Sequence, residues 1–284
     1  MMTELLEYSL LCAISGALAG FLAGLFGVGG GIIIVPALYY LFMLVGLPLS
    51  DAMAMAVATS LATILPTAIS SLRAHHRLEN IDWPFVRAVS PGLVFGAISG
   101  ALLVSYFAGY WLSVIFGVTL MGVAWLVFKK GRSQAAVKSG DLNISMASMR
   151  LLMTALAMIS SLAGVGGGAL GSPLLVASGF RVHRAVGTAA SFGVMIALPS
   201  IVLIAVFSTS PANAPPYSLG LINLPAWFLI SAFTVVTAPW GAKFGKRLSA
   251  KRLSLILAIF LFLLALKMLI SAVAYYWGHY LGVT

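Results

Sequence analysis

The sequence predicts an all-α integral membrane protein: an inverted-topology repeat of 5+5 helical segments, 8–10 transmembrane helices in all, some of them interrupted at glycine. Three observations lead there. First, 61% of the residues are hydrophobic and 8% charged, against about 25% charged in a soluble domain. Second, the apolar runs are helix-length and lack the two-residue alternation of a membrane barrel strand. Third, the run GLFGVGGGIIIVP at Gly24–Pro36 returns as SLAGVGGGALGSP at Ser161–Pro173. Gly27, Gly29, Gly30, Gly31 and Pro36 thereby match Gly164, Gly166, Gly167, Gly168 and Pro173. Each glycine costs a helix about 1 kcal/mol relative to alanine, so a repeated triplet marks two helices built to break.

Ten apolar segments can be read between polar interruptions. They cover roughly 6–26, 29–46, 52–72, 84–106 and 110–128, then 148–163, 166–179, 185–208, 222–242 and 253–277. Most reach the roughly 17 to 25 residues that span a bilayer. The first could pass for a secretory leader, but Glu4 and Glu7 stand where a leader carries basic residues, so an uncleaved first helix is expected.

Basic residues orient the chain. Arg73, Arg77 and Arg87 surround the link from segment 3 to 4, and Lys129, Lys130, Arg132, Lys138 and Arg150 the link from 5 to 6. Arg181 and Arg184 fall between 7 and 8; Lys243, Lys246, Arg247, Lys251 and Arg252 fall between 9 and 10. All lie on one side, the cytoplasmic one by the positive-inside rule, and both termini are then outside. Lys267 alone lies in the middle of a segment, where a cation lines a path or snorkels to the interface. Eight crossings, with each glycine-rich pair a re-entrant hairpin, give the same sides. The net charge of +10 is accounted for by these loops, so no nucleic-acid partner is expected; the partners are the lipid bilayer and a small anion.

The repeat runs beyond the glycines. Ala56–Thr59 resembles Ala185–Thr188, Pro66 and Pro199 each follow, and Gly96-x3-Gly100 resembles Gly241-x3-Gly245. Units 1–128 and 148–284, joined by a cytoplasmic linker at 129–147, each hold five segments. An odd number inverts the second unit relative to the first, as in many secondary transporters. The proline-rich loop Ser208–Gly220 is expected to cap the outer face.

The glycine runs have neither dinucleotide-binding nor Walker spacing, and no strand precedes them. Their usable chemistry is the interrupted helix, whose freed N–H groups and dipole favour an anion. Candidate substrate-binding residues are therefore Gly29, Gly30, Gly31, Gly166, Gly167 and Gly168. Thr59, Ser60, Thr188 and Ser191, at matching places, add hydroxyls. Gly27, Pro36, Gly164 and Pro173 are candidate hinges. The competing readings are close helix packing for the glycines and back-bonding to their own helix for the hydroxyls. Arg73, His75, His76, Arg181, His183 and Arg184 are candidates for gathering anions or sensing pH at the cytoplasmic face, where ordinary positive-inside loops are the alternative.

No Asp or Glu lies mid-segment, which argues against cation pumping and a carboxylate proton relay. No catalytic motif is present, so no enzyme activity is expected. The single cysteine, Cys12, rules out a cysteine-clustered metal site, and neither metal nor cofactor is expected.

The doubled GVGGG-x4-P, the AVATS and AVGTAAS stretches and the NIDW opening of segment 4 resemble the TauE/SafE family, the sulfite exporters or 4-toluene sulfonate uptake permeases. The resemblance covers essentially the whole chain. It implies an inner-membrane secondary transporter of small sulfur-containing anions: sulfite, sulfoacetate, other organosulfonates or thiosulfate. Import and export both occur in proposals for the family, so it implies no direction, and coupling to protons or to the membrane potential stays open. Ala189 stands where the first unit has Ser60, so the two half-sites differ. A passive anion channel, or a permease for an unrelated small carboxylate, fits the same residues.

Overall fold

A computed structural model describes residues 2–26, 31–107, 109–132, 145–245 and 250–280. These form an all-α multi-pass membrane protein. In the first half α1 (Met2–Phe26), α2 (Gly31–Leu44), α3 (Leu49–Arg77), α4 (Trp83–Tyr106) and α5 (Gly109–Arg132) follow one another. The second half holds α6 (Met146–Leu162), α7 (Gly167–Ala177), α8 (Val182–Phe207), α9 (Leu224–Gly245) and α10 (Ala250–Tyr280). A two-residue antiparallel ladder, β1 (Ser218–Leu219) with β2 (Ile222–Asn223), precedes α9. The linker expected at 129–147 falls mostly outside the described residues.

Among the described residues, six helices are long and apolar enough to cross a membrane: α3, α4, α5, α8, α9 and α10. The apolar part of α1 (Leu6–Leu22) and all of α2, α6 and α7 are shorter. At about 1.5 Å per residue, α6 and α7 are about 26 and 17 Å long, below the roughly 30 Å of a hydrocarbon core.

Local sequence sets the starts. Asp82 caps α4 by accepting the Phe85 N–H at 3.1 Å, with Pro84 in the first turn where its missing N–H costs nothing. Ser145 caps α6 in the same way.

Helix pairing is regular across the two halves. α1 packs on α9, and α6 on α4; α2 packs on α3, and α7 on α8. α5 pairs with α10, and α3 crosses α8. Lipid offers no hydrophobic drive for these contacts, so closeness of approach carries them. On α4, Gly92, Gly96 and Gly100 sit directly against the α6 backbone at Arg150, Thr154 and Met158. On α1, Gly16 and Gly20 lie against Ile230 and Thr234 of α9. The interior has two apolar clusters. One joins the α4 and α8 starts to α6 and the end of α7, through Val89, Met153, Leu175 and Phe192. The other surrounds α3, with α2, α5 and α9. Lys267 lies with its ammonium 4.3 Å from the Tyr40 ring centroid, a cation–π contact between α10 and α2.

Candidate functional site

The second glycine run folds as a helix stop followed at once by a helix start. At the end of α6 the Val165 N–H donates to the Ser160 carbonyl at 2.8 Å and the Gly164 N–H to Ser161. Gly164 takes a φ of +64°, a left-handed conformation that glycine adopts without the penalty of a Cβ. Two residues on, Gly166 opens α7 in an extended conformation with no side-chain cap. The first N–H groups of α7 are thus not covered by any capping side chain.

This turn is wedged against α3. A Cβ on Gly164 would lie 2.9 Å from the Val57 Cα, and one on Gly166 3.3 Å from Ile64. Val57 and Ile64 are about 12 and 22 Å along the 29-residue α3, so the turn sits at mid-helix depth. Ser60 donates to the Gly164 carbonyl at 2.9 Å. Gly31, first residue of α2, meets the same turn: a Cβ there would be 2.7 Å from the Gly164 carbonyl oxygen and 2.9 Å from the Val165 Cα. The two glycine runs therefore touch. Gly27, Gly29 and Gly30 lie outside the described residues.

Gly167 packs between Phe192 and Ile196 of α8, while Gly168 has its nearest such neighbour, Ala189, at 3.9 Å. Pro36 and Pro173 fall inside α2 and α7, where each removes a helical N–H donor. Ser160, fully buried beside the turn, has no partner for its hydroxyl among the described residues.

The four hydroxyl candidates separate. Ser60 reaches the break, whereas Ser191 back-bonds to the Thr188 carbonyl at 2.6 Å. Thr59 and Thr188 perform matching tasks on α3 and α8. The Thr188 hydroxyl oxygen accepts the Asp82 N–H at 3.0 Å, and the Thr59 oxygen accepts the Asn223 N–H at 3.1 Å. Asp82 caps α4; Asn223 caps the start of α9 by accepting the Ala226 N–H at 2.9 Å. Each threonine thus ties the entry of a long helix to a central one. The side-chain partners differ. Arg184 pairs with Asp82 at 3.0 Å near the surface, while the Tyr8 hydroxyl donates to Asn223 at 2.8 Å in the interior. Glu79 and Gly220, each three residues before the cap, both take positive φ, 54° and 57°.

Tyr8, Asp82 and Asn223 were not among the sequence candidates. The signal for the two caps was the shared spacing Asp82-x-Pro84 and Asn223-x-Pro225, a cap residue two before a first-turn proline; Tyr8 had none.

The basic-face candidates gather where α3 ends and α8 begins. His75 is within electrostatic reach of His183, and its Nδ1 is buried without a partner. His76 stands edge-on to Trp83. Arg73 and Arg181 are exposed. No group of three His, Cys, Asp or Glu among the described residues is placed to hold a metal.

Comparison with known proteins places this geometry in context. Residues 12–268 match the family described as Sulfite exporter TauE/SafE. A probable membrane transporter protein of Haemophilus influenzae is 35% identical over 265 residues, covering 93% of this chain and 99% of that one. One of Methanocaldococcus jannaschii is 30% identical over 92% of this chain and 95% of its own length. No solved structure matches the chain significantly.

Proposed function

The chain belongs to the sulfite exporter TauE/SafE family, a family of membrane transporters, and we propose that it moves small sulfur-containing anions such as sulfite, sulfoacetate or other organosulfonates by alternating access. One observation carries the proposal: Gly31, at the start of α2, lies against Gly164 and Val165 of the second glycine break, alongside the middle of α3, beside an uncapped helix start at Gly166. Backbone N–H groups there bind an oxyanion without burying a cation, which a bilayer interior penalises.

In this reading the N–H groups of Gly167 and Gly168 hold the anion from one side, and Gly29, Gly30 and Gly31 from the other. Ser60, Thr59, Thr188 and Ser191 flank the pair; the two threonine oxygens accept loop N–H groups and the Thr59 O–H also donates to the Leu221 carbonyl at 3.5 Å, so parting of those loops frees O–H donors for the anion. Gly27, Pro36, Gly164 and Pro173 act as hinges. The α6–α7 pair is a re-entrant hairpin, since neither helix reaches bilayer thickness and the turn lies beside the middle of α3. The inverted repeat is supported by the matching helix pairings and by the two threonine-held caps. Charge distribution supports an inner-membrane orientation with the basic loops in the cytoplasm and both termini outside. Rocking of one unit against the other would expose the break to each side in turn.

Flux into proteoliposomes tests this. Sulfite, sulfoacetate, isethionate and taurine are offered in parallel with a small carboxylate. The expected result is saturable, trans-stimulated uptake of at least one sulfur anion. No saturable flux of any of them overturns the proposal. Non-saturable flux without trans-stimulation makes the protein a channel, and preference for the carboxylate changes the substrate class.

A further inference from the structure

We propose that Arg184 is an anion-receiving side chain at the basic face, and that the Asp82 carboxylate holds it between turnovers in the place of a substrate oxyanion. The inference rests on the anion-transport reading and adds to it a named entry residue.

The two caps make the case. Asp82 and Asn223 do the same structural work: each caps a long helix and gives its N–H to a threonine on a central helix. Asn223 does this as a neutral amide, so a charge is not required for capping. The charge at Asp82 has a different use, the ion pair with Arg184. Asp82 stays in place without that pair, because Phe85 and Thr188 hold its carboxylate and its N–H independently. Among the described residues, Arg184 has no such ties. Its side chain is 57% exposed, against 19% for Asp82, and a guanidinium offers five donors in a fork that suits oxyanions. An exposed pair of this kind is worth little, so an arriving anion can displace the carboxylate.

Position supports the same assignment. Arg184, Thr188 and Ser191 stand at i, i+4 and i+7 on α8, one continuous stripe. It runs from the basic surface toward Phe192 and Ile196, against which Gly167 packs. Arg181 and Arg87 add cationic sequence at this face, with His183 beside them; Glu79 is the other acid near the cap.

The test uses the full-length protein in proteoliposomes at low ionic strength, with anion presented from the basic face. Asp82→Asn removes the competing carboxylate and keeps the cap, as Asn223 demonstrates; KM for the transported anion is expected to fall about two- to five-fold, the worth of an exposed pair. Arg184→Gln is expected to raise KM, Arg184→Lys to restore it in part, and the double variant Asp82→Asn/Arg184→Gln to match Arg184→Gln alone. A purely structural clamp predicts that both single variants move KM and thermal midpoint in the same direction, and that result overturns the proposal. Wild-type protein with neither saturable flux nor an anion-dependent thermal shift removes the transport reading, and this inference with it.

Discussion

Replacing Gly164 with alanine is expected to abolish transport and to lower the thermal midpoint of the detergent-solubilised protein. Two costs combine. The φ of +64° penalises any residue with a Cβ by roughly 1–2 kcal/mol. The added methyl would also sit 2.9 Å from the Val57 Cα, 3.0 Å from its carbonyl oxygen and 2.9 Å from the Val35 side chain. Helix backbone cannot yield as a side-chain tip can, so the turn must leave α3 and carry the Ser60–Gly164 hydrogen bond with it. The sum is about 3 kcal/mol. Gly46→Ala is the matched control: its φ is +90° and nothing lies within 4 Å, so it bears the backbone strain alone, about 1 kcal/mol. Equal midpoints for the two variants would show that the α6–α7 turn is not pinned against α3.

The second large effect is expected at Asn223. This residue is fully buried and its amide is in use at both ends. Oδ1 accepts from the Tyr8 hydroxyl and the Ala226 N–H, while Nδ2 donates to the Pro216 carbonyl at 3.2 Å and to the Ser218 hydroxyl at 3.0 Å. Asn223→Ala strands a buried phenol and a helix N-terminal N–H together. Each unsatisfied buried group costs about 1–3 kcal/mol, so about 3 kcal/mol of stability should be lost in the same melting experiment. Tyr8→Phe removes one bond from one side and should cost about 1 kcal/mol. A loss at Asn223→Ala no larger than at Tyr8→Phe would mean that the cap, loop and helix contacts are not a connected network.

The contrast with Asp82 explains why sequence reading found one kind of residue and missed the other. Glycine triplets in an apolar run violate helix propensity, and a violation that occurs twice is visible without coordinates. Asp82 and Asn223 violate nothing. A cap before a first-turn proline is ordinary local chemistry, and its partners Thr188 and Thr59 lie far away in the chain. Thr59 and Thr188 were singled out by symmetry as anion donors; what they touch in the fold is the N–H of each cap.

The sequence by itself determined the all-α membrane class, the succession of ten helical segments, the place of the second break and the clustering of basic residues in alternate links. Each follows from short-range rules: apolar length against bilayer thickness, glycine against helix continuity, charge against lipid. Only the tertiary structure decided that the Gly31 and Gly164 ends meet, that the second break lodges at mid-depth on α3, and that Arg184 faces Asp82. Those contacts join residues a hundred or more positions apart, and their cause is fit. Backbone approaches under 3 Å from a would-be Cβ are possible where glycine meets a neighbouring helix, and pattern along a single chain carries no record of which helix that is.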